Sequence, residues 1–163
     1  MMFMIETRWL TDDERTAWVK LTAVLELLPA ALDLQLSTDE GLTHFEYFTL
    51  AMLSEAPNRV LRTSALAART NATLPRLSRV VTRLEAVGLV ERTPCATDRR
   101  ATNVALTEAG WQKVVKAAPG HVSAVRKLVI DALTPVQIEH LSAILTALLK
   151  HLDPDGRMLA SDS

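Results

Sequence analysis

The stretch TLPRLSRVVTRLEAVGLVER, residues 73–92, decides how the whole chain reads. A helix is expected from about Thr73 to Val87, and Gly88 stops it as a good residue just past the last turn. At about 100° per residue, Leu77, Val80, Leu84 and Val87 fall on one arc and predict the packing face. Arg76, Arg79 and Arg83 share a second arc about 60° wide, which Ser78 and Thr82 extend. Three like charges on one face do not favour an isolated helix, so the face suits an anionic partner. After Gly88 the pattern changes: Leu89–Thr93 alternates as a strand does, Pro94 breaks it, and Asn103–Leu106 alternates again. A hairpin with a polar loop near 94–101 is therefore expected, with Asp98, Arg99 and Arg100 in that loop.

Upstream, Ser64–Thr70, entered by Thr63, predicts a helix of about two turns, and Asn71 supplies turn chemistry before residue 73. Capping boxes at Thr11/Glu14, Thr43/Glu46 and Thr134/Gln137 open helices near 11–35, 43–55 and 134–152, with Pro135 well placed in a first turn. Pro57 and Asn58 end the second helix. Thr107 caps another through about Lys116, and Pro119-Gly120 should kink or interrupt it before His121–Ala132. The last residues, SDS, read as a frayed tail.

Charge is segregated along this order. Between Pro57 and Leu106 there are nine arginines, no lysine, and three acids (Glu85, Glu91 and Asp98), a surplus of six positive charges. The net charge of the chain is −1, so the flanks together carry −7. A basic module inside a near-neutral chain points to a polyanion. Arginine suits bidentate contact with phosphate or guanine, although a GC-rich genome would also favour Arg over Lys. A short helix, a turn, a second helix and a basic two-stranded ribbon make up a winged helix-turn-helix, in which the second helix enters the major groove. The fold class expected is mainly α with a small β-hairpin wing, plus a helical dimerisation domain.

At 163 residues and 48% hydrophobic composition, the chain can bury one sizeable core. A single cysteine excludes an intrachain disulfide. The start, MMFMIETRWLTDDER, lacks the apolar core of a signal peptide, and no apolar run reaches about 18 residues. A cytoplasmic protein without membrane association is expected. No phosphate-binding glycine loop or nucleophile elbow is present, and Asp12, Asp13 and Glu14 suit a helix dipole better than catalysis. No enzymatic activity, cofactor or metal is expected. His44, His121, His140 and His151 lack tight metal-ligand spacing, and Cys95 reads as a thiol in an exposed loop without a clear sensing role.

Arg83-Leu84-Glu85, Gly88-Leu89-Val90, Arg92, then Asp98 with Arg100, and Val104, Leu106, Thr107 and Gly110 closely resemble the motifs of the multiple antibiotic resistance regulator (MarR) family of bacterial transcription factors. The resemblance spans about residues 10–152. It implies a regulator, most commonly a repressor, that binds double-stranded DNA as an intertwined homodimer. The alternative is a winged-helix interaction module that does not read DNA specifically. On the family pattern, residues 1–42 and 111–163 form the dimerisation segments and 43–110 the DNA-binding domain, all one intertwined unit. Leucine-rich surfaces at 19–28 and 141–152 fit that expectation. The DNA-binding residues implied are Thr73, Arg76, Ser78, Arg79, Thr82, Arg83, Asp98, Arg99 and Arg100. Arg100 would enter the minor groove, Asp98 would hold it, and Arg99 would meet phosphate. Many relatives bind small aromatic acids between the two domains. Trp18, His44, Phe45, Tyr47 and Phe48 are the candidates for such an effector pocket, and core packing is the more usual role of any one of them.

Overall fold

The computed structural model describes residues 7–96 and 98–158, and all of the Arg99 side chain lies outside that description, as does the tail Ser161–Ser163. The elements in chain order are α1 (Asp12–Glu40), α2 (His44–Glu55), β1 (Val60–Arg62), α3 (Thr63–Arg69), α4 (Leu74–Ala86), β2 (Val90–Cys95), β3 (Asp98–Leu106), α5 (Glu108–Leu128) and α6 (Pro135–Leu152), with short 3-10 turns at Pro57–Arg59 and Ile130–Ala132. All three capping boxes form: Thr11, Thr43 and Thr134 accept from the amides of Glu14, Glu46 and Gln137, whose side chains reach back to the cap amides.

Two expectations about breaks change. α5 runs straight through Pro119, and α1 likewise contains Pro29. Proline forfeits one helical hydrogen bond, but burial of Val114 and Ala117 outweighs it. Gly120 serves close packing, since a Cβ there would lie 3.3 Å from Gln35 Nε2 on α1. β2 passes through Pro94, which is tolerated because β2 is an edge strand of a sheet ordered β1-β3-β2. The hairpin is thus longer than expected and its turn shorter: Val90 faces Leu106, Pro94 faces Thr102, and a register shift brings Cys95 opposite Asp98.

β1 went unforeseen because three residues are too few to show a period. It pairs antiparallel with β3, Leu61 opposite Val104. Asn58 and Arg59, at φ 53° and 58°, make the tight turn that delivers it. Thr63 is the first helical residue of α3 rather than its cap, and its hydroxyl donates to Thr102 O at 2.8 Å, tying α3 to the wing.

The core joins α2, α3, α4, the sheet, the C-terminal end of α1 and the first half of α5, around Leu36, Leu50, Leu53, Leu66, Leu77, Leu84, Val90 and Val104. On α4 the buried trio is Leu77, Val81 and Leu84; Val80 is half-buried and Val87, at the helix end, is exposed. Val87 lies beyond the last turn that packs, so its place on the wheel did not predict burial. Glu40 carries both Lys113 and Lys116 on Oε2, at 2.8 and 3.4 Å, and so fastens the end of α1 to α5. α6 buries no residue in the single chain, and it leaves the axis of residues 108–132 at 103°.

Candidate nucleic-acid interface

Thr73 caps α4 by accepting from the Arg76 amide, and the helix then presents Arg76, Ser78, Arg79, Thr82 and Arg83 outward, all exposed. The arginines differ in what lies beneath them. The Arg76 guanidinium carbon sits 4.1 Å above the centre of the Phe45 ring. Arg83 Nε is 3.0 Å from Glu46 Oε1, a carboxylate that is itself buried. Arg79 stands between them.

The wing is latched to this helix by Arg92. Its amide donates to Glu85 Oε1, its Nη1 pairs with Glu85 Oε2, and its Nη2 donates to Ser78 O and Thr82 Oγ1, each at 2.9 Å. The Arg92 amide and guanidinium hold the Glu85 carboxyl below its usual pKa of 4.5. Thr82 therefore serves the latch as well as the outer face. Between α4 and the wing lies an open cleft of about 470 Å³, bordered by Ser64, Ser78, Arg92, Asp98, Arg100 and Thr102. Asp98 Oδ1 accepts the backbone N–H of Arg100 at 3.0 Å, so the aspartate fixes the strand from which Arg100 projects rather than its guanidinium. Arg100 is exposed at the cleft edge.

Not every arginine of the basic segment belongs to this surface. Arg69 is buried. Arg59 lies 4.1 Å over the Trp111 ring and 3.3 Å from Glu108. Cys95, expected in an exposed loop, is buried with its Sγ 3.5 Å from Arg62 Nη2, because β2 continues through Pro94. Sequence reasoning missed the supports Phe45, Glu46 and Arg92 with Glu85. A cap position explained Glu46 fully, and only the opposite charges bracketing Gly88 hinted at the Glu85–Arg92 pair.

The five candidate pocket residues do not gather at one place. His44 stacks on Phe48 (centroids 6.5 Å apart) and on His121 of α5 (6.2 Å), and Tyr47 lies 4.7 Å from His121. Phe45 turns toward Arg76, and Trp18 lies on the exposed part of α1. His121 Nδ1 is buried without a hydrogen-bond partner among the described residues. Among those residues, no group of three His, Cys, Asp or Glu is placed to hold a metal ion.

Burial lowers the pKa of both His44 and His121 below the ordinary 6.5; Asp33 partly opposes this at His44, and the charge of His44 adds to it at His121. Between the lowered values and 6.5 the unfolded chain binds more protons, so the stability from these neutral rings is full above 6.5 and is lost as pH falls through the lowered values. The thermal midpoint should therefore fall from about pH 7.5 to about pH 5.5, above the carboxylate range. His121→Gln should flatten that decline in a melting series, and an unchanged slope would count against the assignment.

Comparison with known proteins fits this geometry. Residues 40–101 match the model of the MarR family. The fold superposes on Sco3205, a MarR family transcriptional regulator from Streptomyces coelicolor solved in complex with DNA, with a TM-score of 0.87 and 41% identity, covering 92% of this chain and 94% of that one. AbsC, a MarR family transcriptional regulator from the same organism, gives a TM-score of 0.84 at 40% identity, covering 90% and 98%. CouR from Rhodococcus jostii, solved bound to p-coumaroyl-CoA, shares the fold at 22% identity (TM-score 0.71, covering 87% and 95%).

Proposed function

The chain belongs to the MarR family of transcriptional regulators, and on that premise we propose that it represses transcription by binding a pseudo-palindromic operator as a homodimer. The observation that supports this reading is the row of exposed arginines on α4 beside a wing that carries the exposed Arg100, with Arg92 holding helix and wing together. A helix of that kind fits the major groove, where arginine reads guanine O6 and N7, and an arginine at a hairpin tip fits a narrow, more negative minor groove. Thr73, Ser78 and Asp98 would position the backbone contacts, and Arg99 would add one to phosphate.

Residues 43–110 would form the reading lobe, with 1–42 and 111–163 joining two copies. Two lobes would then meet successive major grooves, with half-sites about 10 bp apart. A regulator of this kind works without enzymatic activity, metal or cofactor, in the cytoplasm; among the described residues no single helix is long and apolar enough to cross a membrane. An effector, a small aromatic acid, would sit at His44, Tyr47 and Phe48, where ring faces and the buried His121 Nδ1 offer stacking and a hydrogen bond. Phe45 and Trp18 would serve there only after rearrangement or from another copy. Binding would shift the spacing of the two reading helices.

Fluorescence anisotropy with DNA from the chain's own promoter region, at two salt concentrations, tests the function. Salt-dependent binding with no preference over random DNA would instead support a module without specific reading. Arg100→Ala should weaken operator binding about tenfold or more while leaving the oligomeric state unchanged. Loss of oligomerisation instead would show the wing to be misassigned.

A further inference from the structure

The first turn of α2 lies under the arginine face of α4, and two consecutive residues there each engage one arginine. Phe45 supports Arg76 face-on, and Glu46 meets Arg83 at Nε. The Glu46 side chain is 3% exposed against 66% for Arg83, so the pair joins a sequestered carboxylate to an outward-facing cation. The other oxygen of Glu46 accepts the Thr43 amide at 2.8 Å and closes the capping box of α2. That cap does not require a charge. Gln137 closes the same box at the start of α6 in this chain. The negative charge at 46 is thus left for Arg83, and a buried carboxylate without a cation would be costly.

The pairing is through Nε, on the flank of the guanidinium. Among the described residues the terminal fork, Nη1 and Nη2, makes no hydrogen bond, and that fork is the part that reads guanine bidentately. The pairing also offsets the charge of Arg83, which reduces its sequence-independent pull on phosphate.

We propose that Glu46 is a positioning residue for DNA reading: it holds Arg83 so that its fork can meet a base edge and suppresses that arginine's non-specific phosphate contact. The proposal rests on the reading of α4 as the DNA-reading helix and names what sets its selectivity. It predicts that removing a negative charge near DNA improves binding to the wrong sequences.

The test is Glu46→Gln, which keeps the capping acceptor and removes the charge. Binding of the full chain to operator and to random duplex is measured over a range of salt. Random-duplex binding should tighten, its log–log salt slope should steepen by about 0.9, the increment of one phosphate contact, and the operator-to-random ratio should fall roughly tenfold. In an Arg83→Ala background, Glu46→Gln should change neither slope nor ratio, because the two residues act as one unit. An unchanged slope and ratio in the single variant would overturn the proposal. So would parallel losses of thermal midpoint and of both affinities that persist in the Arg83→Ala background, which would make Glu46 a helix cap and nothing more. Arg79→Ala separates the two levels: if it leaves operator binding intact, α4 does not read DNA and the underlying function fails; if it weakens binding while Glu46→Gln is silent, only the positioning role fails.

Discussion

Gly110→Ala should destabilise the protein by about 3 kcal/mol or more, lowering its thermal midpoint by roughly 10 °C. A Cβ at this position would lie 2.0 Å from Leu89 O and 2.6 Å from Leu106 Cδ1. A leucine tip can rotate away, but the Leu89 carbonyl cannot, because it accepts the Thr107 amide at 3.1 Å. Thr107 in turn donates its hydroxyl to Gly88 O at 2.7 Å and accepts the Gly110 amide at 3.0 Å. One residue thereby ties the end of α4, the start of β2 and the first turn of α5. The only relief for an added methyl is to lift α5 off the hairpin, which would open the core at Val90, Leu106 and Val114. Thermal and urea unfolding of the variant check this. A change below about 1 kcal/mol would mean that α5 does not pack against Leu89 as closely as described.

That junction also shows where the sequence was legible. Thr107 and the three capping boxes act within four residues, so their chemistry is readable from neighbours alone. The arginine face of α4 was readable for the same reason, since helical phase is local. That Asp98 holds Arg100 was implied by the family resemblance and not by spacing, and the contact present runs to the Arg100 amide rather than the guanidinium. What escaped depends on tertiary context. Pro94 reads as a breaker unless β2 is known to be an edge, and Cys95 reads as exposed unless the strand is known to continue past it. Pro119-Gly120 carries the signal of a helix end, yet the helix continues and Gly120 packs against the Gln35 side chain of α1. Val81 was passed over in favour of Val87 because the wheel does not show where the neighbouring elements stop. Phe45 and Glu46 had adequate local explanations, as core and as cap, which concealed their contacts with Arg76 and Arg83.

The second large effect is expected on α6. In the single chain this helix has no buried residue, and Ile144, Leu145, Leu148 and Leu152 are all exposed, as are Val19, Val24, Leu25 and Leu27 on α1. Such a length of uncovered aliphatic surface is more than a monomer ordinarily presents to water, and burial of apolar area contributes about 25 cal/mol per Å². A second copy covers it in the proposed dimer, and this sets the consequence of a charge placed there. Ile144→Glu would bury an unpaired carboxylate in the interface at a cost of several kcal/mol, so the dimer constant should weaken by at least about 100-fold. Operator affinity should then fall by a further factor of about 100, because each lobe loses the effective concentration conferred by its tethered partner. The core lies within one chain, so a single chain should keep weak, salt-dependent binding to DNA. Sedimentation at micromolar concentration, with anisotropy on operator and half-site duplexes, separates these effects. Ile144→Leu, which keeps the apolar surface, should behave as the unaltered chain. If Ile144→Glu sediments as a dimer with undiminished operator affinity, the copies meet through another surface, and the 103° bend between residues 108–132 and α6 needs a different explanation.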